Sequence, residues 1–264
     1  MKDPDLKIIA AIAGLVVIAA LGWFFRDAWL PAPEPVTAVE LAPAPAEESA
    51  PTGPQYPVPT PPTDEGLVPL PPLDDSDAYF LLALGDVFGP GIEALLTSQA
   101  FIDKFVGTVD ALPRDRVTEK IRPVGPLQGT FAWESAGGED PIFLSPENYR
   151  RYEVLVTRLA TADIDAMVET YRRFYPLLQE SYERLGYPGK YFNDRVVEVI
   201  DHLLATPEPA GPVELVRPHV LYEFADPSLE ALSGGQKMLV RMGPQNAASV
   251  KFVLRELRQR LAAN

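Results

Sequence analysis

Residues 163–186 read DIDAMVETYRRFYPLLQESYERLG, the longest amphipathic pattern in this chain of 264 residues. Asp163 is of a type that caps helix N-termini, and Gly186 is of a type that ends helices. Between them, apolar side chains repeat at helical spacing through Ile164, Met167, Val168, Tyr171, Phe174, Tyr175, Leu178, Tyr182 and Leu185. A long helix with one apolar face must bury that face, so the stretch predicts a mainly helical domain.

Shorter helical patterns lie on both sides of this stretch. They predict helices over about 77–88, 92–96, 100–112, 145–159, 194–205 and 244–261. The helical pattern fails between these, where 129–134 alternates and 141–144 is a short apolar run. The two runs are typical of a small β-hairpin, and 220–224 of a short strand. The predicted fold class is therefore mainly α: one mostly helical domain over 73–264 with a small β-hairpin or sheet element.

A long apolar segment lies near the N-terminus. Residues 8–25 are IIAAIAGLVVIAALGWFF, without a charged side chain. As a helix they would span ~27 Å, about the hydrocarbon thickness of a bilayer. Lys2 and Lys7 precede the segment and Arg26 follows it, a bias that places residues 1–7 in the cytoplasm. We therefore predict an uncleaved transmembrane helix. A cleaved signal peptide fits less well, because its apolar region is shorter and ends in small residues.

The next segment, residues 26–72, is acidic and rich in proline. Residues 31–72 contain 14 Pro, and residues 27–103 contain neither Lys nor Arg. A chain with so much Pro and so little apolar surface cannot build a core of its own. We predict a disordered linker that separates the membrane from the domain.

Composition excludes several classes of function. The chain has no Cys and two His, which argues against thiolate or His-rich metal sites and excludes a cysteine nucleophile. A net charge of −14 disfavours nucleic acid as a partner. Leu232–Gln236 spells LSGGQ, the signature of ABC ATPases, but the chain has no GxxxxGK[ST] loop to bind a nucleotide. We therefore interpret LSGGQ as a turn between helices. From the composition and the missing motifs together, we predict no catalytic residue, no metal ligand and no cofactor.

Three polar-aromatic clusters are the candidates for a site: NYRRY at 148–152, YFNDR at 191–195 and RMGPQN at 241–246. Arginine forks and asparagine amides can hold carboxylates or sugars, and tyrosine supplies stacking. The alternative is that these residues cap helices and form ion pairs within the fold. The candidate ligand- or partner-binding residues are Tyr149, Arg151, Tyr152, Asn193, Asp194, Arg195, Arg241 and Asn246.

These clusters are among eight short strings that occur in order along the chain: Ala111–Arg114, Asn148–Tyr152, Tyr175–Gln179, Gly186–Pro188, Phe192–Arg195, Ile200–Leu204, Gln236–Lys237 and Arg241–Pro244. In these strings the chain resembles a bacterial family labelled domain of unknown function 3014. The resemblance covers roughly 73–262, and Gly234 stands where Ala is expected. It implies an N-terminal membrane segment and a Pro-rich linker ahead of this domain. The family has no established activity, so the resemblance assigns no functional residue.

The layout and the resemblance together predict a membrane-anchored, non-catalytic interaction or ligand-binding module of the bacterial cell envelope. The expected partners are the lipid bilayer, through 8–25, and an envelope protein or cell-wall ligand, but neither nucleic acid nor nucleotide. The expected location is the cytoplasmic membrane, crossed once, with the C-terminal domain on the periplasmic side. Two alternatives stay open: a cell-wall-directed hydrolase that uses a carboxylate pair, and a purely structural spacer.

Overall fold

The computed structural model describes residues 53–59 and 68–263, apart from 126, 128, 136, 138–140 and 220. Within these residues the α-helices are α1 (Asp77–Phe88), α2 (Phe101–Ala111), α3 (Glu147–Thr161), α4 (Ile164–Arg184), α5 (Phe192–Leu204), α6 (Pro227–Glu230), α7 (Gly234–Arg241) and α8 (Pro244–Ala262). The strands are β1 (Trp133–Glu134), β2 (Ile142–Leu144), β3 (Glu214–Val216) and β4 (Glu223–Phe224).

The long helix α4 begins as its sequence predicts. The Asp163 carboxylate accepts hydrogen bonds from the backbone N–H groups of Asp165 (2.9 Å) and Ala166 (3.1 Å). These groups lack intrahelical partners, so the cap stabilises the helix start. The helix then continues through Pro176 to Arg184, with its apolar face buried.

The helices pack around one large apolar core. Helix α8 packs against α3 and α5, and α2 packs against α4. Six aromatic side chains are almost completely shielded from solvent: Phe80, Phe101, Phe105, Tyr152, Tyr171 and Phe192. Burial of rings of this size is the main favourable contribution to a fold of this kind.

A small antiparallel sheet lies beside the helices, with strand order β1-β2-β3-β4. Trp133 pairs with Leu144, and Leu215 pairs with both Ile142 and Phe224. The buried side chains of the sheet form a second, smaller cluster with Val240 of α7. The sheet is thereby attached to the helical body through α7.

The predicted fold class of a mainly helical domain with a small β element is confirmed. The predicted hairpin over 129–134 and 141–144 exists as β1 and β2, and it extends to four strands. The predicted helix over 92–96 is wrong in type, because only a 3₁₀ turn forms at Glu93–Leu95. That segment lies between Gly91, which has a positive φ angle, and the extended Leu96, so the helical backbone is limited to a single short turn.

The predicted transmembrane helix at 8–25 lies outside the described residues, as does most of the predicted linker at 26–72. Two parts of that linker, 53–59 and 68–72, are described. Their side chains Tyr56, Val58 and Leu70 pack against the main core. Across the described ranges, no helix is both long and apolar enough to cross a membrane.

Candidate functional site

The three candidate clusters lie in two places. The clusters at 148–152 and 241–246 meet where the start of α3 touches the junction of α7 and α8. The cluster at 191–195 lies at the start of α5, against residues 55 and 56 and the end of α2. Arg151, Arg195 and Arg241 each line a different cavity. The structure therefore does not gather the candidate residues into one cleft.

At the first place, asparagine amides join the helices through backbone carbonyls. The Asn246 amide donates to the carbonyls of Tyr149 (2.9 Å) and Met242 (2.9 Å). The Asn148 amide donates to the carbonyl of Arg241 at 3.4 Å. These bonds fix α3 against the α7–α8 junction, so the two asparagines have structural partners here.

Arg241 and Tyr152 belong to the interior of the protein. Arg241 is 4% exposed, and its guanidinium carbon lies 5.0 Å from the centre of the Phe224 ring. Burial lowers the pKa of Arg241, since it disfavours the charged form. Burial raises the pKa of Tyr152 well above its usual value, and the nearby Arg241 charge opposes that shift. Arg241 thus connects the helical body with the sheet through a cation-π contact.

Arg151 holds the loop that leads into β1. Its guanidinium donates to the side-chain oxygen of Asn148 (3.0 Å) and to the carbonyl of Gly129 (3.3 Å). The residue also lines a cavity of about 460 Å³ with apolar neighbours such as Leu127 and Leu155. Its described contacts are those of a side chain that positions a loop.

At the second place, Asn193 and Asp194 bind the segment that arrives from the N-terminal side. The Asn193 amide donates to the carbonyls of Tyr56 (2.8 Å) and Leu261 (3.1 Å), and its oxygen accepts from Tyr171 (3.0 Å). The Asp194 carboxylate accepts from the backbone N–H groups of Gln55 (2.9 Å) and Tyr56 (2.8 Å). Residues 53–59, which we name the docked segment, are held on the domain by these bonds.

Arg195 turns inward and meets Asp110, a residue that the sequence pattern did not single out. The Asp110 side chain is 3% exposed and accepts hydrogen bonds from Arg195 (3.0 Å), Arg114 and Tyr187 (3.2 Å). Arg195 also donates to the Asp110 carbonyl (2.8 Å) and to Glu198 (2.7 Å). A buried carboxylate is tolerated when its lone pairs are satisfied in this way. Asp110 is therefore the anchor that holds the start of α5 against α2.

Above this network lies an open cleft of about 750 Å³, which we name the tyrosine cleft. The rings of Tyr182 and Tyr187 stack in it with centroids 4.7 Å apart. Burial raises the pKa of Tyr182 to about 12, so the phenol stays neutral. Gln179 fixes the adjoining turn through the carbonyl of Lys190 (2.8 Å) and the N–H of Phe192 (2.8 Å). The lining includes Gln55, Tyr56, Asp110, Tyr182, Tyr187, Lys190, Tyr191, Asp194, Arg195, Glu198 and Asp201.

The LSGGQ string is the start of α7, which corrects its interpretation as a turn: Ser233 caps the helix, and Gly234 and Gly235 lie in its first turn. The Ser233 hydroxyl accepts from the Gln236 N–H at 3.2 Å, and the Gln236 side chain accepts from the Ser233 N–H at 3.3 Å, a capping box. Gly235 packs so closely that a Cβ would lie 2.9 Å from the Leu112 carbonyl. The ring of His202 contacts the Ser233 hydroxyl at 2.8 Å, and burial lowers the pKa of His202. The glycines therefore permit close packing of α7.

Lys251 is a second residue that the sequence reasoning missed. It lies on α8 four residues after Ala247 and three before Leu254, on the face that the helix buries. Its side chain is 5% exposed. The sequence did contain a signal for Lys251, since it is a lysine at a position where the apolar stripe of α8 calls for an apolar residue. For Asp110 the same kind of signal existed, since it follows Phe105, Val106 and Val109 on α2.

In the described ranges, no group of three or more His, Cys, Asp or Glu side chains is arranged to hold a metal ion.

Comparison with known proteins identifies the family of the chain. No curated protein and no solved structure matches the chain significantly. Residues 101–258, more than half of the chain, match a family model, and they include the tyrosine residues of α4 and the turn after it, Asp110 and Lys251. The chain belongs to the family described as protein of unknown function (DUF3014).

Proposed function

We propose that this protein is a non-catalytic carbohydrate-binding module of the bacterial cell envelope. In this proposal, residues 8–25 anchor the chain in the cytoplasmic membrane, and the domain on the periplasmic side binds cell-wall glycan in the tyrosine cleft. The observation that carries the proposal is a fixed polar cleft of about 750 Å³ walled in part by the docked segment.

The side chains of the cleft suit a sugar ligand. Tyr56, Tyr187 and Tyr191 are half-buried, so part of each remains open to solvent. Tyrosine rings can cover the apolar faces of sugar rings, while their hydroxyls and fixed charged groups bind sugar hydroxyls. Arg195 is held by the Asp110 carboxylate (3.0 Å) and carbonyl (2.8 Å), and it pairs at 2.7 Å with Glu198, whose side chain is 66% exposed. A guanidinium that the fold already holds lowers the entropy cost of binding.

The docked segment connects the predicted linker with the tyrosine cleft. It follows residues 26–52 directly, and its backbone binds Asp194 at the edge of the cleft. If residues 26–52 are extended as polyproline II, they would reach at most ~80 Å from the membrane. A cleft at the end of such a tether would meet wall material close to the membrane.

The hydrolase alternative is not favoured by the chemistry of this cleft. A glycosidase needs one carboxylic acid that carries a proton and a second carboxylate across the scissile bond. Asp110, the buried carboxylate of the cleft, instead accepts from Arg114, Arg195 and Tyr187. These three donors occupy the carboxylate oxygens and leave little room for a scissile bond beside them, which suits an anchor rather than a catalytic acid.

Co-sedimentation of the purified full-length protein with isolated bacterial peptidoglycan tests the proposal. We expect the protein to sediment with the wall material, and Tyr191→Ala to weaken binding at least ~10-fold, as loss of one stacking contact and its hydroxyl would do. The matched control is Tyr79→Ala, because Tyr79 is exposed on α1 away from the cleft. Failure of the native protein to sediment would overturn the proposal, and release of soluble fragments would revive the hydrolase.

A further inference from the structure

A second cavity, smaller and apolar, lies between the loop at 206–213 and helices α3, α7 and α8. Its volume is about 360 Å³. The walls are formed mainly by apolar side chains and by the prolines of the loop, including Leu144, Val213, Leu239, Val240 and Ala247. We name this space the lysine cavity, because the Lys251 side chain also lines it.

Lys251 is a cation in an apolar setting. Its ammonium donates to the Thr206 carbonyl (2.7 Å) and to Glu208 (2.9 Å), both on the loop that walls the cavity. An ammonium has three donors, and the described residues supply these two acceptors. The Glu208 side chain is 71% exposed, so its charge lies mostly in water while the lysine is 5% exposed. A buried cation with a largely solvated partner gains from an anion placed inside the cavity.

The walls of the cavity are stiff. The loop reads TPEPAGPV over 206–213, and its three prolines fix their φ angles. On the other side, the Tyr149 ring lies against Gly243, where a Cβ would come within 2.5 Å of the ring. A cavity with fixed walls needs little reorganisation to accept a ligand.

We propose that the lysine cavity binds an apolar monocarboxylate, such as a medium-chain fatty acid, with its carboxylate on Lys251. The apolar walls match a hydrocarbon chain, and a single ammonium matches a single negative charge. A phosphorylated ligand would call for several cations or an arginine fork, whereas Lys251 is the one basic side chain in the described lining. The lining also holds two carboxylates, Glu208, which pairs with Lys251, and Glu134. Both of these residues are exposed, so solvent screens their charges more than that of the buried ammonium. This site is independent of the tyrosine cleft and of the glycan proposal.

Photoaffinity labelling of the full-length protein in detergent tests the inference. The probes are decanoic acid that carries a diazirine and the corresponding neutral alcohol, each used with and without excess decanoate. We expect the acid to label peptides from 206–213 and from α8, decanoate to compete, and the alcohol to label these peptides at least ~10-fold less, which corresponds to loss of one charge-assisted contact.

Three variants locate the site. Lys251→Met should reduce this labelling at least ~10-fold, and Ala247→Phe should abolish it by filling the cavity while leaving the lysine in place. The matched control is Lys237→Met, which removes a lysine that pairs with Glu230 and does not line the cavity. If Lys251→Met fails to fold, Ala247→Phe and the competition decide. Equal labelling by the alcohol, labelling confined to residues 8–25, or labelling that survives Ala247→Phe would each overturn the inference.

Discussion

The tyrosine cleft and the lysine cavity each contain a buried charged side chain, but the two side chains differ in how many hydrogen-bond partners surround them. In the cleft, the Asp110 carboxylate accepts from three side chains. In the cavity, the Lys251 ammonium donates to one carbonyl and to one exposed carboxylate. A charge whose partners are complete holds the fold together, whereas a charge with remaining capacity in an apolar space can recognise a ligand. The comparison therefore supports a stabilising role for Asp110 and the proposed binding role for Lys251.

The largest effect that this comparison predicts is on Asp110. Asp110→Ala removes the buried partner of Arg195, whose side chain is 18% exposed, and leaves Arg195 with the solvent-exposed Glu198 as its carboxylate partner. Loss of one partner of a buried ion pair costs about 3–5 kcal/mol, so we expect the free energy of unfolding to fall by that amount. Urea denaturation followed by circular dichroism measures it.

The control for Asp110 is Asp115→Ala, because Asp115 is an exposed aspartate on the segment just after α2. We expect its unfolding midpoint to match that of the native protein within experimental error. If Asp110→Ala unfolds at the same urea concentration as the control, Asp110 is no anchor and the contrast with Lys251 fails.

The next effect concerns the wall of the lysine cavity. Gly243 has a φ of 85°, and an added Cβ would lie 2.5 Å from the Tyr149 ring. Gly243→Ala therefore combines backbone strain with a steric clash, and we expect a loss of about 2–4 kcal/mol in the free energy of unfolding.

Gly189, at the rim of the tyrosine cleft, is a matched control for Gly243. Its φ is 74°, yet nothing lies within 4 Å of the position that an added Cβ would take. Gly189→Ala should thus show the strain alone, about 1–2 kcal/mol. The same urea titration measures both variants. If they lose the same free energy of unfolding, the Tyr149 ring gives way to the added methyl group and does not fix the wall of the lysine cavity.

The sequence could predict the helices but few of the contacts that they make. The apolar stripe of α4 and its Asp163 cap are local patterns. The structure confirms the cap and the stripe as far as Tyr182, whereas Leu185, predicted as its last member, lies after the helix and is exposed. Asn193 was recognised as an unusual polar residue, but its partners are carbonyls of Tyr56 and Leu261, which are far away in the chain. A sequence shows the type of a side chain and its immediate neighbours. It does not show which distant backbone groups need a partner.

The same limit explains why β3 was missed. The strand contains only Glu214–Val216, and it forms because Leu215 faces Ile142 and Phe224 on its two neighbours. Three residues are too few for an alternating pattern to stand out from a loop. The sheet therefore depends on tertiary pairing rather than on local propensity.

The smallest predicted effect concerns the docked segment, which walls the tyrosine cleft and has no counterpart at the lysine cavity. Asp194 accepts two backbone hydrogen bonds from Gln55 and Tyr56. We expect Asp194→Ala to make opening of the segment easier by about 1.5 kcal/mol, the contribution of a hydrogen bond to a charged group. Amide hydrogen exchange of residues 53–59 should then become roughly 10-fold faster, while exchange in α4 stays unchanged.

The matched control is Asp201→Ala, since Asp201 also lines the cleft but pairs with Arg258. Faster exchange in both variants would mean that the segment responds to the charge of the cleft as a whole. Unchanged exchange in Asp194→Ala would mean that the packing of Tyr56 and Val58 alone holds it, and the cleft would then keep this wall without Asp194.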